Sequence, residues 1–130
     1  MRLFCYGTLM VPAVWERVVG RQLDNVAAIL PGFACYRIRG QCYPGLVPRE
    51  AAQTPGVVYA GLNRADLLRL DSYEGAQYRR VRAQACLADG GMQSVWVYVT
   101  QAPYRNRLSG HGWSLTGFVE NDLEKYLTRL

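Results

Sequence analysis

Tyr78-Arg79-Arg80-Val81-Arg82-Ala83-Gln84-Ala85-Cys86-Leu87-Ala88-Asp89-Gly90-Gly91-Met92-Gln93-Ser94-Val95-Trp96-Val97-Tyr98-Val99-Thr100 reads as two strands joined by one tight turn. In the first arm Val81, Ala83, Ala85 and Leu87 alternate with Arg80, Arg82, Gln84 and Cys86. That period of two marks a strand with one face turned to a core. Asp89-Gly90-Gly91 has the residues a hairpin turn needs, because glycine accepts positive φ without steric cost. In the second arm Val95, Val97 and Val99 alternate with Trp96 and Tyr98 rather than with polar residues, so both faces of that arm are read as covered.

Upstream of this hairpin, Asn63 is placed to cap a helix over Arg64–Tyr73, with Asp66 near its positive N-terminal end. Leu67 and Leu70 pin that helix onto a sheet, and Gly75 is suited to the position just past its end. Earlier still, Leu3 to Tyr6 reads as a short buried strand. Met10–Val19 reads as a helix whose inward face carries Val11, Val14, Trp15 and Val18, with Gly20 as its stop. Trp15 is assigned to the core. Extended segments are expected at Val26–Leu30, Phe33–Ile38 and Val57–Leu62, with Pro31-Gly32 and Pro55-Gly56 as turns between them. Gly40–Thr54, rich in Gly and Pro, is expected to be an irregular loop lining a cavity. Downstream, Gln101–Gly112 lacks periodicity and reads as a surface loop. Thr116–Leu130 sets Leu123, Tyr126, Leu127 and Leu130 on one helical stripe. This order of elements predicts one α+β domain over residues 1–130, built round an antiparallel or barrel-like sheet.

Bulk properties narrow the function. The chain has 130 residues, 50% hydrophobic and 12% aromatic, which suits one domain with a sizeable core. No apolar run approaches the ~18 residues needed to span a membrane. Gly7 interrupts the N-terminal apolar stretch before a signal peptide can develop, so a cytoplasmic location is expected. Cys5, Cys35, Cys42 and Cys86 form no Cys-x-x-Cys pair, and His111 is the sole histidine, so zinc-ligand spacing is absent. Reduced, mostly buried thiols are expected. Net charge is +5, carried almost entirely by arginine, since Lys125 is the only lysine. The arginines at positions 79, 80 and 82 alternate along a strand and read as a solvated sheet face, with Arg79 on the opposite side from Arg80 and Arg82.

Two short motifs carry chemistry. Tyr6-Gly7-Thr8-Leu9 ends the first strand in a Gly-opened turn, where a ligand can approach the backbone and successive N–H groups can hold an anion. Leu70-Asp71-Ser72-Tyr73-Glu74-Gly75 ends the second helix and leaves Glu74 at its negative end, between Tyr73 and Tyr78. That placement is expected to raise the Glu74 pKa by disfavouring the charged form. Tyr6 and Tyr78 are candidate hydrogen-bond donors to a ligand or to Glu74. Asp71 is read as structural, bonded to backbone or arginine. A Cys5–His111 nucleophile pair has no supporting signature.

With Tyr43-Pro44-Gly45-Leu46 and Tyr78-Arg79 in the same order, these motifs make the chain similar to the gamma-glutamylcyclotransferase-like family, and most closely to its short AIG2-like branch, which includes gamma-glutamylamine cyclotransferases. The resemblance covers nearly the whole chain. It implies a small antiparallel or mixed β-barrel with helices packed outside. It also implies a small-molecule gamma-glutamyl substrate, with no metal, no cofactor, no membrane and no nucleic-acid partner. Glu74 is implied as the catalytic acid/base, and Tyr6, Gly7, Thr8, Leu9 and Tyr78 as substrate-binding residues. The reaction implied is intramolecular aminolysis, releasing 5-oxoproline and an amine or amino acid. Thr8-Leu9 stands where relatives carry serine and asparagine, so glutathione-type specificity is not implied and the leaving amine is left open. The alternative is a binding module that uses the same pocket or the Arg-rich sheet face.

Overall fold

A computed structural model describes residues 1–130. Five strands form a closed barrel in the order β1-β3-β2-β4-β5: β1 (Leu3–Cys5), β2 (Asn25–Arg37), β3 (Pro44–Tyr59), β4 (Tyr78–Leu87) and β5 (Met92–Thr100). Closure comes from β1, which pairs antiparallel with β3 through Phe4↔Val58 and parallel with β5 at Leu3↔Trp96. The expected hairpin is present, paired from Tyr78↔Thr100 to Cys86↔Met92.

Strand alternation divides the apolar residues between two layers. Phe4, Leu30, Leu46, Val58, Ala85, Val95, Val97 and Val99 fill the barrel. Leu3, Cys5, Tyr59 and Tyr98 point outward, against helices α1 (Pro12–Val19), α2 (Arg64–Glu74), α3 (Leu115–Asn121) and α4 (Leu123–Thr128). The second hairpin arm therefore needs apolar residues on both faces. No helix is long and apolar enough to cross a membrane.

Local chemistry fixes the ends of α2. The Asn63 side chain accepts from Asp66 N–H at 2.8 Å and Asp66 Oδ2 accepts from Asn63 N–H at 2.9 Å, a reciprocal cap that satisfies two orphan donors. Arg21 pairs with the buried Asp66 at 2.6 Å. At the other end Gly75 takes φ 74° and donates to Asp71 O at 3.1 Å, so the helix stops at Glu74.

Several expectations need correction. Most of the stretch read as an irregular loop, from Pro44 onward, belongs to β3 and pairs with β2 as far back as Arg37↔Pro44. Proline is tolerated where a strand edge has no ladder to feed, and β3 has β1 beside it only over Val57–Tyr59. Pro31-Gly32 is not a turn: β2 continues through it, with a register shift between Pro31 and Phe33 and Gly32 at φ 83°, a bulge that bends the strand. Pro55-Gly56 likewise lies inside β3. There a Cβ on Gly56 would stand 2.2 Å from Cys5 O, so glycine lets β1 pass close by. The segment 101–112 contains a 3₁₀ turn at Ala102–Arg107 and a bridge between Ile38 and Leu108. The terminal helix is two helices, broken at Asp122, and Leu130 is exposed rather than packed.

Candidate active site

One cavity of about 260 Å³ opens at the end of the barrel where β1 runs into the Tyr6–Leu9 loop. The start of β3 contributes Pro44, the end of α2 Tyr73 and Glu74, the start of β4 Tyr78, β5 Tyr98, and α4 Tyr126. Both chemistry-bearing motifs thus meet on one space.

Glu74 enters the cavity because Gly75 ends α2 directly after it. Tyrosines and the barrel rim surround its carboxyl, and burial pushes its pKa up to about 8. Its position at a helix C-terminus disfavours the anion in the same direction. Burial, with Glu74 as a lesser cause, also holds the Cys5 thiol well above its ordinary value, which keeps it protonated and a poor nucleophile. His111 is exposed on the segment after the 3₁₀ turn and does not line the cavity.

The loop opposite Glu74 presents free donors. Its first internal bonds are Met10 N–H to Gly7 O at 3.0 Å and Val11 N–H to Thr8 O at 3.1 Å. The amides of Gly7, Thr8 and Leu9, whose residues all line the cavity, have no backbone acceptor. Tyr59 Oη donates to Leu9 O at 2.8 Å, and Thr8 Oγ1 bonds Tyr73 Oη at 2.8 Å, so the turn is held from both sides. Three amides of a turn held on both sides are thus left without a backbone acceptor.

Gly7 joins this loop to the Tyr43-Pro44-Gly45-Leu46 motif. A Cβ on Gly7 would lie 3.0 Å from Pro44 Cγ, so a side chain there displaces the Pro44 ring before it reaches a ligand. Gly45 is as constrained, since its Cβ would fall 2.4 Å from Thr100 Oγ1, which accepts from Leu46 N–H. Gly7→Val is therefore expected to shift the amides and lower kcat/KM roughly tenfold or more through a raised KM. An unchanged KM in a folded variant would remove the loop from the site.

Asp71 lies one turn before Glu74 and has the opposite electrostatic setting. Arg80 Nε meets Asp71 Oδ1 at 2.8 Å and Tyr98 Oη donates to the same oxygen at 2.6 Å. The Arg80 hydrogen bond, aided by that from Tyr98, holds the Asp71 carboxyl below its usual range. Asp71 is thus an ion-pair partner at the back of the site and Glu74 its protonatable group. The guanidinium groups of Arg80 and Arg82 stack on Trp96 at 4.3 and 4.4 Å. Arg79 lies across the strand in a different cavity, beside Phe33 and Arg105.

Tyr6 and Tyr78 line the cavity, but neither hydroxyl proton is free. Tyr6 Oη donates to Tyr98 O and Tyr78 Oη to Pro44 O, each at 2.6 Å. They build the wall rather than donate to a ligand, a correction to the expected role. Sequence reasoning missed Tyr126, whose hydroxyl bonds that of Tyr73 and extends the chain Thr8–Tyr73–Tyr126. Its place on an apolar helical stripe marked it as core, and nothing local signals that its hydroxyl faces a cavity.

The sequence model of the family described as gamma-glutamyl cyclotransferase, AIG2-like, matches residues 3–115. The chain belongs to this family. AIG2-like protein C of Arabidopsis thaliana is 31% identical over 127 residues, 97% of this chain and 73% of that one. AIG2-like protein A of the same plant is 38% identical over 79 residues, 61% of this chain and 48% of its own length. The chain thus matches about half the length of some curated relatives. A solution structure of an Arabidopsis thaliana protein superposes with a TM-score of 0.77 at 28% identity, covering 98% of this chain and 78% of that one. A structure titled gamma-glutamyl cyclotransferase superposes at 0.69 with 16% identity, covering 98% and 84%, a likeness of fold. The closed barrel with outer helices is the fold of these gamma-glutamyl cyclotransferase-like neighbours.

Proposed function

We propose that the chain is a cofactor-independent gamma-glutamyl cyclotransferase, converting a gamma-glutamyl amide to 5-oxoproline and a free amine. The observation that carries this reading is one carboxyl group with a pKa raised to about 8, across a single cavity from three unpaired backbone amides. Family membership supports it.

In this reading the amides of Gly7, Thr8 and Leu9 take the substrate's α-carboxylate. That grip folds the glutamyl chain so that its α-amine lies against its own γ-carbonyl, where effective molarity is high. The substrate arrives as an ammonium, since α-amino groups titrate near pH ~8. Glu74 takes one proton from it. The neutral amine attacks the γ-carbon and the carbonyl π pair moves onto oxygen. Glu74 then gives its proton to the departing nitrogen as the oxygen pair reforms the carbonyl and the C–N bond breaks. It takes the extra proton from the new ring nitrogen and passes it to the released amine, which leaves Glu74 ionised for the next turnover. Atoms and charge balance without water. Transfer is efficient because the two pKa values are close, so neither direction is steeply uphill.

The pH profile tests the proton inventory. The productive pair, Glu74 plus amine, holds one proton fewer than its fully protonated form. Because the Glu74 pKa is raised to about 8, kcat/KM for 5-oxoproline release should fall as pH drops below that value. An acid limb in the ordinary carboxylate range, near pH ~4.3, would show that the working carboxyl is not raised by burial, and a limb left in place by Glu74→Gln would show that Glu74 does not carry the proton.

A further inference from the structure

Gln77 lines the cavity from the turn between α2 and β4, three residues after Glu74. Its backbone is pinned from two directions. Tyr78 N–H closes the turn on Gly75 O at 3.4 Å. The segment after β5 clamps it, since Gln101 N–H donates to Gln77 O at 2.8 Å and Gln101 Nε2 to Ala76 O at 2.6 Å. The side-chain amide of Gln77, by contrast, has no hydrogen-bond partner within the chain.

The other polar side chains of the cavity are committed or lie on the opposite side. Tyr78 Oη donates to Pro44 O, Tyr6 Oη to Tyr98 O, and Tyr98 Oη to Asp71 Oδ1. Thr8, Tyr73 and Tyr126 bond one another, three hydroxyls sharing two hydrogen bonds, in a chain that starts from the Gly7 loop. Tyr43 is unengaged but adjoins Pro44, whose ring a Cβ on Gly7 would meet at 3.0 Å, so it belongs to the loop side as well. Beside Glu74, the uncommitted donor is Gln77 Nε2.

We propose that Gln77 is a further catalytic residue, its Nε2–H donating to the γ-carbonyl oxygen as negative charge develops there. The inference rests on the cyclotransferase reading. Glu74 there serves the two nitrogens joined to the γ-carbon, so that carbon lies within its reach, and the loop amides are taken by the α-carboxylate. A donor on the turn that follows Glu74 is then on the side of the reacting carbon. When the amine attacks, the C=O π pair moves onto oxygen and the Gln77 hydrogen bond tightens. When that pair reforms the carbonyl and the C–N bond breaks, the hydrogen bond relaxes. No proton leaves Gln77, so it works beside Glu74 without competing for the proton that Glu74 carries. A bond stronger to the oxyanion than to the ground-state carbonyl raises kcat and leaves substrate binding nearly unchanged.

The test uses two variants at this half-buried turn position. Gln77→Met keeps the length of the side chain but has no donor, and Gln77→Glu keeps its shape but sets a carboxylate against the oxyanion. A panel of γ-glutamylpropylamide, γ-glutamylalanine and glutathione is assayed for 5-oxoproline, and the fastest substrate is paired with its γ-thioamide. Both variants are expected to lose about 10²-fold in kcat, the lower end for one lost oxyanion donor, with KM little changed. Sulfur is the weaker acceptor, so exchanging the γ-oxygen should slow the wild type by a larger factor than it slows Gln77→Met. A merely structural role for Gln77 would leave that factor the same in both proteins. Wild-type kcat in both variants, a loss confined to KM, or an oxygen-to-sulfur rate ratio unchanged in Gln77→Met overturns the role of Gln77 and leaves the cyclotransferase reading standing. Absence of 5-oxoproline from all three substrates with the wild type overturns both.

Discussion

Glu74→Gln is expected to fold, to bind a gamma-glutamyl ligand, and to lose about 10²–10⁴-fold in kcat, the scale of one general acid–base residue. Glutamine keeps the size and polarity of the side chain but has no titratable proton. The Cys5 thiol and the hydroxyls of Tyr6, Tyr73, Tyr78, Tyr98 and Tyr126, which share the cavity, are held above their ordinary pKa values, chiefly by burial. Steady-state kinetics alongside ligand calorimetry separates lost chemistry from lost binding. Wild-type turnover by this variant would end the cyclotransferase reading.

The same substitution has a stability signature. The folded-state pKa of Glu74 is raised to about 8, so between the ordinary glutamate value and pH 8 the folded state holds more protons than the unfolded one. Stability therefore falls as pH rises through that window. Glu74→Gln should be more stable than the wild type above pH 8, by a few kcal/mol in order of magnitude, and should lose that advantage towards pH ~4. Denaturation curves at the two pH values measure the difference directly.

The second large effect is structural. Trp15 is fully buried and stacks on Tyr59 with ring centroids 3.6 Å apart and planes within 7°. Its Nε1 donates to Arg21 O at 3.0 Å. Trp15→Ala is expected to cost about 3–5 kcal/mol, the range for removing a buried Trp side chain. That is a large share of the ~5–15 kcal/mol that stabilises a typical domain. Function should suffer as well, because Tyr59 holds Leu9 O at 2.8 Å and loses the ring that fixes its own position. Urea denaturation gives the first number, and KM measured well below the unfolding transition gives the second. A loss under about 1 kcal/mol would mean that α1 is not pinned through Trp15.

Legibility followed how local each cause was. The β4–β5 hairpin was readable because Val81–Leu87 and Val95–Val99 alternate across Asp89-Gly90-Gly91, and register follows from the turn. The second helix was readable because Asn63, Asp66 and Gly75 act within one turn of its ends. β3 was not readable over Pro44–Thr54, since its prolines break strand patterns locally and are tolerated only because of which edge is unpaired, a tertiary fact. The same holds in the site. Glu74 and the Gly7 loop were singled out through the family resemblance, and both line the cavity. The hydroxyls of Tyr6 and Tyr78, however, are engaged by carbonyls far away in the chain, and Tyr126 reaches the cavity only because the terminal segment breaks at Asp122.

The most direct test of the central claim is product analysis in ¹⁸O-enriched water with a panel of gamma-glutamyl amines, peptides and glutathione. Intramolecular aminolysis uses no water, so the account predicts unlabelled 5-oxoproline and free amine in equal amounts from at least one substrate. Glutamate carrying one ¹⁸O in its γ-carboxyl group would instead show hydrolysis by solvent, and would contradict the account.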